Sequence, residues 1–367
     1  MIDWARIHGE KGFRASYLPL SFMSLLYGVG VRLSLKNNKT RDKLSLPGFT
    51  VSIGNLTAGG TGKTPATCMI AEWAQGEGYD VAVLSRGYGG KKKERVTIVS
   101  DGKDILAGPE EAGDEPCLLA GKLPGIPVVT SKDRYLAGLA AHKNFGSSFF
   151  ILDDGYQHLA LKRDLNLLLL DAANPFGNGR LLPRGPLREP VNQIARADAI
   201  IFTRANFLTN GKDMGTEIKY LFQGKPVFMG DHLPVKVVFP FRGTSHDPDF
   251  LKGKRVMAFA GIARPDSFSR TLISLGAEIL SFRHFPDHHP FTDYEIRTLI
   301  QEKVDKGAEF LITTEKDRMR APDLISGDPC FSYLTIRFEL SGEREGFFRM
   351  VGDKIKGSSL KQGVASS

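Results

Sequence analysis

The segment VSIGNLTAGGTGKTP, from Val51 to Pro65, constrains the fold of this chain more than any other stretch. Val51 to Gly54 reads as a short β-branched strand. A glycine-dense turn follows, and Gly62-Lys63-Thr64 then opens the apolar-periodic run Ala66 to Trp73. Strand, glycine turn, Gly-Lys-Thr and helix in that order make a phosphate-binding loop. Glycines let successive backbone N–H groups converge on phosphate oxygens, and the new helix adds the positive end of its dipole. The expected cradle is Thr57, Ala58, Gly59, Gly60, Thr61, Gly62, Lys63 and Thr64, although Thr57 stands where the general pattern has its first glycine. In it Lys63 reaches the β- and γ-phosphates and the Thr64 hydroxyl holds Mg²⁺. A nucleoside triphosphate is therefore the expected ligand.

A chain of 367 residues can hold two domains, and 41% hydrophobic with 25% charged residues is an ordinary globular composition. The three cysteines, Cys68, Cys117 and Cys330, lie far apart without metal spacing and read as reduced thiols. A net charge of +8 favours an anionic partner: nucleic acid, phosphorylated metabolite or acidic lipid surface. Basic and aromatic residues do not interleave along any segment, which counts against nucleic acid.

Between Arg14 and Arg32 lies ASYLPLSFMSLLYGVGV, uncharged but short for a bilayer span and interrupted by Pro19 and Gly28. Lys11 and Arg14 precede it, and Arg32, Lys36, Lys39, Arg41 and Lys43 follow. Basic flanks around a short apolar segment suit insertion into one leaflet against anionic head groups. A helix packed on the chain's own core is the competing reading, whereas Asp3 and Glu10 argue against a cleaved signal peptide.

From Gly48 onward short apolar strands alternate with helical segments, which indicates an α/β fold with a mostly parallel sheet covered by helices. Asn174 to Pro190 is a long Gly/Pro/Arg loop, and loops of that length inside a domain are usually functional. Around Asp231 to Lys254 prolines accumulate, which reads as a connection to a second, smaller α/β unit. The expected layout is an apolar and basic N-terminal segment over 1–45, a P-loop nucleotide and substrate domain over 46–235, a smaller closing domain over 236–350, and a polar, frayed tail over 351–367.

The block SSFFILDDGYQH sets Asp153 and Asp154 at the end of a buried strand, the sheet edge where ligands bind in open α/β folds. A carboxylate there serves the Mg²⁺ of a P-loop nucleotide. Which of the two ligates directly is open. Asp114, in GDEP, sits at a helix start as a cap or as a base for an acceptor hydroxyl. The turn FRHFPDHHPFT offers His284, Asp287, His288 and His289, a set better suited to projecting one histidine across a cleft than to holding zinc. SRGYGG places Arg86 and Tyr88 after a strand, Arg180, Arg184 and Arg188 line the long loop, and Lys91 to Lys93 read as a solvated turn. TTEKD, Thr313 to Asp317, closes a strand of the second unit.

Together GNLTAGGTGKTP, LSRGYGG, GDEP, LDDGYQH, RLLPRGPLREP, FPDHH and TTEKD resemble, in order, the tetraacyldisaccharide 4′-kinases of lipid A biosynthesis over roughly residues 1 to 340. The resemblance implies transfer of the ATP γ-phosphate to the 4′-hydroxyl of a tetraacylated glucosamine disaccharide 1-phosphate. It implies ATP and Mg²⁺, a site at the cytoplasmic face of the inner membrane, and neither nucleic acid nor an obligate protein partner. By motif it makes Lys63 and Asp114 catalytic, the latter assisted by the histidine that aligns with His288, with His289 adjacent. It assigns Thr64, Asp153 and Asp154 to the metal, and Arg86, Tyr88, Gln157, Arg188 and Glu189 to substrate or nucleotide. The alternative is a membrane-associated P-loop ATPase switch, but such proteins carry a signature lysine where this chain has Ala58.

Overall fold

The structure is a computed structural model and describes residues 4–364 apart from 13, 40–41, 91–93, 206–221, 223 and 321–327. Arg41 and the run Lys91 to Lys93 lie outside the described residues.

The strands are β1 (Phe49–Gly54), β2 (Val81–Ser85), β3 (Thr97–Ser100), β4 (Val128–Thr130), β5 (Phe149–Asp153), β6 (Leu165–Asp171) and β7 (Ala199–Thr203), then β8 (Val227–Phe239), β9 (Thr244–His246), β10 (Arg255–Ala260), β11 (Glu278–His284), β12 (Phe310–Thr314) and β13 (Phe331–Leu340). The helices are α1 (Trp4–Gly9), α2 (Leu18–Lys39), α3 (Lys63–Gly76), α4 (Pro109–Ala112), α5 (Asp114–Lys122), α6 (Arg134–Phe145), α7 (Pro265–Ser274), α8 (Asp293–Asp305), α9 (Glu315–Arg320) and α10 (Arg344–Val364).

All thirteen strands form one sheet, ordered β11-β10-β12-β13-β8-β7-β6-β1-β5-β2-β4-β3, with β9 on β8. Strands such as β6, LNLLLLD, are buried along their whole length. Helices cover both faces of the parallel sheet there, so such a strand is buried on both sides and reads as a nearly continuous apolar run. On one face Met69 and Ile70 of α3, Leu119 of α5 and Phe347, Val351 and Ile355 of α10 share a core. On the other, Ala137 and Ala141 of α6 pack with Leu46 and Leu152.

The sheet has two parallel halves, β4 to β8 with β3 antiparallel on its outer edge, and β13 to β11, joined where β8 runs antiparallel to β13. Val227 to Gly230 pair with β7, and Gly230 to Val238 pair with β13. β8 thus leaves the first half and becomes a strand of the second. Because β13 runs against it, the C-terminal strand edges of the two halves confront each other across a cleft.

Three expectations are corrected here. Asp231 to Lys254 is not an irregular connection: it holds most of β8, all of β9 and a 3₁₀ turn over Pro248–Leu251. Pro234 is tolerated because the ladder shifts register there, with Lys236 opposite Thr335 and Pro234 opposite Ile336. The boundary after residue 235 falls within this strand. The tail from 351 is helical through Val364 rather than frayed, because Phe347, Val351 and Ile355 bury one stripe of α10. The three cysteines are free thiols.

At the N-terminus α2 projects Leu18, Phe22, Met23, Leu25, Leu26, Val29 and Leu33 into the open, so it is not a core helix. Ala15–Asn38 is long and apolar enough to cross a membrane by length and composition.

Candidate active site

The cleft between the strand edges holds a cavity of about 850 Å³. Its floor is the turn between β1 and α3. Gly59 and Gly62 hold φ of +106° and +79°, left-handed values that favour glycine. A Cβ at Gly62 would also collide with the ring of His232 on β8. Gly59 to Thr64 line the cavity, and the Thr61 hydroxyl oxygen is buried with no hydrogen-bond partner among the described residues. Such an orphan fits a loop built around a polar ligand. Thr57 and Ala58 do not line the cavity. Thr57 bridges Leu187, and the Ala58 N–H donates to the Pro186 carbonyl at 2.6 Å, so both tie the turn to the long loop instead.

Lys63 extends from the first turn of α3 to within 3.4 Å of Asn55 Oδ1 and 3.6 Å of Asp154 Oδ1. Asp153 and Asp154 are neighbours with opposite surroundings. Asp153 ends β5, is buried, and accepts a hydrogen bond from Thr67 Oγ1 at 3.0 Å. Burial first, then the charges of Glu115 and Asp154, push its carboxyl up to about 7. Asp154 turns with φ +51° and is held by Arg188 Nη1 at 2.8 Å. Burial alone would raise its carboxyl, but Lys63 and Arg188 override that and hold it at about 2.

Thr64, Asp153, Asp154 and Glu115 all line the same wall. Among the described residues no cluster of three or more His, Cys, Asp or Glu forms a protein-only metal centre. That suits Mg²⁺, which binds through one or two carboxylates together with nucleotide phosphates and waters. Burial and the adjacent carboxylates raise the Asp153 carboxyl, and a cation would relieve both, so this donor set fits.

The second half supplies the opposite wall. His288, with φ +60°, lines the cavity beside Tyr88, the ring centroids 6.0 Å apart. Behind it lies Asp114, whose Oδ2 is 3.6 Å from His288 Nδ1 and 2.7 Å from Arg320 Nε. Burial would raise the Asp114 carboxyl, but hydrogen bonding to His288 and Arg320 leaves it below its ordinary range. Lys316 Nζ lies 3.2 Å from His288 Nε2 and 2.9 Å from Glu115. His289 is turned the other way, onto Glu295 at 3.0 Å and against Phe285 and Phe291. The geometry therefore places His288, rather than His289, at the cleft.

Arg86, Tyr88, Gln157 and Arg188 line the cavity, and Gln157 Nε2 donates to the Asn55 carbonyl at 2.9 Å. Glu189 does not line it. It is buried and ion-paired with Arg196, so its carboxylate is committed to packing the loop. Arg184 is likewise internal: it donates to the carbonyls of Ile7, Glu10 and Gly12, lies over the Tyr17 ring, and fastens the N-terminal segment to the loop.

Several lining residues were not expected. Glu115 follows Asp114 on α5, and consecutive residues of a helix point about 100° apart, so one of the pair had to face a different way. Arg134 and His158 also line the wall. Burial first, then Arg134, pulls the His158 imidazole down to about 4. Nothing in the sequence marks Arg134, whose helix is capped in the ordinary way by Asp133. Tyr27 and Leu182 line the cavity too, which brings it to the exposed apolar helix α2.

Known proteins resemble this chain in sequence and fold. A family profile described as Tetraacyldisaccharide-1-P 4'-kinase matches residues 16–356. The tetraacyldisaccharide 4'-kinase of Syntrophus aciditrophicus (strain SB) is 44% identical over 332 residues, 87% of this chain and 89% of that one. The enzyme of the same name from Geobacter metallireducens is 39% identical over 309 residues, covering 84% and 86%. The crystal structure of the "apo" form of LpxK from Aquifex aeolicus in complex with ATP superposes with a TM-score of 0.71 at 33% identity, over 93% of this chain and 99% of that one. By its ordered motifs, its fold and these relatives, the chain belongs to the tetraacyldisaccharide-1-P 4'-kinase family.

Proposed function

We propose that the protein transfers the γ-phosphate of ATP to the 4′-hydroxyl of a tetraacylated glucosamine disaccharide 1-phosphate at a membrane surface. One observation carries this reading: a single cavity joins a phosphate cradle, His288 with Asp114 3.6 Å behind it, and an exposed apolar helix. An acylated sugar can keep its chains beside α2 while its head group enters the cleft.

In this mechanism Lys63 and the loop amides neutralise the β- and γ-phosphates. Thr64, Asp153 and Asp154 would hold Mg²⁺, which supplies further charge neutralisation when bound. His288 receives the hydroxyl proton, and Asp114 behind it steadies the resulting charge. Arg86, Tyr88, Gln157 and Arg188 orient the sugar or its phosphate. Because His288 comes from the second half and Asp114 from the first, assembly of the proton-accepting pair requires the two halves to meet, which also keeps water from the phosphate. The basic residues flanking α2 suit an anionic cytoplasmic leaflet.

The test is transfer of labelled γ-phosphate to the tetraacyl disaccharide 1-phosphate in detergent micelles, with and without Mg²⁺. Labelling should require Mg²⁺ and fall on the order of 10³-fold or more in Lys63→Ala. Nucleotide binding without lipid labelling would remove the acceptor from the proposal.

A further inference from the structure

Two arginines from opposite halves meet on one buried carboxylate beside the phosphate loop. Asp171 ends β6 and is buried; its Oδ1 accepts the Ala173 N–H at 3.0 Å. Its Oδ2 takes Arg204 Nη2 at 2.9 Å and Arg264 Nη2 at 3.1 Å. Arg204 follows β7 with φ +60°, is buried, and also donates through Nη2 to the Gly60 carbonyl. It is part of the loop's foundation. Arg264 precedes α7 in the second half, and its side chain is 45% exposed. Ala263, just before it, lies 3.4 Å from where a Gly60 Cβ would stand, so this turn closes directly over the phosphate loop.

One carboxylate neutralises one guanidinium. Asp171 is already satisfied by Arg204 and the Ala173 amide, and the second guanidinium on the same oxygen is repelled by the first. The group leaves an uncompensated positive charge at the rim of the cradle. Of the two arginines, the exposed one can leave without stranding a buried charge. Arg264 also lines the cavity together with Gly59 to Thr64.

We propose that Arg264 is a nucleotide-polyphosphate ligand supplied by the second half, which exchanges Asp171 for phosphate oxygens when nucleotide occupies the loop. This rests on the nucleotide reading above and deepens it. Polyphosphate becomes the bond between the halves, so the acceptor wall is drawn in only over an occupied cradle.

The experiment compares binding of ATP, ADP and adenosine to the full-length protein and to Arg264→Ala and Arg264→Lys, with kcat and KM for ATP measured alongside. One charge-assisted contact corresponds to about 10–100-fold in affinity. In Arg264→Ala, ATP and ADP should weaken by that factor while adenosine changes less than about 2-fold. Arg264→Lys should recover part of the loss, because it keeps the charge but not the fork. Unchanged ATP and ADP affinity in Arg264→Ala, or an equal loss for adenosine, overturns the proposal; the second result would make Arg264 a brace of the nucleoside pocket. Failure of the unaltered protein to bind either nucleotide would instead sink the nucleotide reading, and this inference with it.

Discussion

The two walls of the cleft are built differently. On the first wall the loop after β1, Asp153 at the end of β5 and Asp171 at the end of β6 are set into the core of a parallel sheet, and both carboxylates are buried. The second wall reaches across through charges. Lys122 meets Glu315 at 2.7 Å, Glu115 meets Lys316 at 2.9 Å, Asp114 meets Arg320 at 2.7 Å and Asp171 meets Arg264 at 3.1 Å. A wall packed into a core is fixed before ligand arrives. A wall held by ion pairs can be reset by a new charge, and a nucleotide brings several. The difference separates what must be preorganised, the phosphate site, from what must be assembled, the proton-accepting side.

The contrast can be broken most directly where Asp114 of the first half meets His288 and Arg320 of the second. Asp114→Asn should lower kcat on the order of 10²-fold and leave the KM for ATP within about 2-fold. A rise in the ATP KM to match would mean the walls are not functionally separate, and near-normal turnover would remove Asp114 from the proton path.

The rigid wall can be probed with acid. His232 packs under the phosphate loop, and burial first, then Arg204, pull its imidazole down to about 3. The unfolded chain takes up this proton below about pH 6.5, whereas the folded state refuses it until about pH 3. Stability from this group is therefore lost as pH falls through that window, by about 2 kcal/mol between pH 7 and 5. Thermal denaturation at both pH values would read it. Asn at position 232 should flatten the slope; an identical slope assigns the acid sensitivity elsewhere.

The smallest effect belongs to the pairs between the walls. Burial raises the Glu315 carboxyl even with Lys122 beside it. Lys122→Ala should cost about 1 kcal/mol of stability and leave ATP affinity intact. A loss of several kcal/mol in urea unfolding would show that the second wall is as firmly built as the first.

On the first wall, Gly62-Lys63-Thr64 and Asp153-Asp154 could be singled out because they sit in contiguous motifs, whereas Glu115, Arg134, His158 and Asp171 were not singled out and join the wall only through the fold. The second wall was legible as a list and not as an arrangement. His288 and His289 are adjacent, and only the backbone turn at φ +60° and the Glu295 carboxylate separate their roles. β8 was misread because Pro234 and Pro240 carry the composition of a linker, while the register shift that accommodates Pro234 depends on a partner about a hundred residues away in sequence. Glu189 matched a motif position but is spent on Arg196, a pairing no local spacing encodes. Arg264 and Arg320 come from the second half and acquire their meaning only across the cleft.

The antiparallel seam of β8 and β13 has a mechanical consequence. Eight paired positions from Gly230–Leu340 to Val238–Tyr333, interrupted by a single register shift, run between the halves. Opening the cleft therefore flexes a hydrogen-bonded ribbon instead of swinging on a slack tether. A ribbon of this kind has an elastic restoring force, so bending it would store work that closure returns, as in a leaf spring.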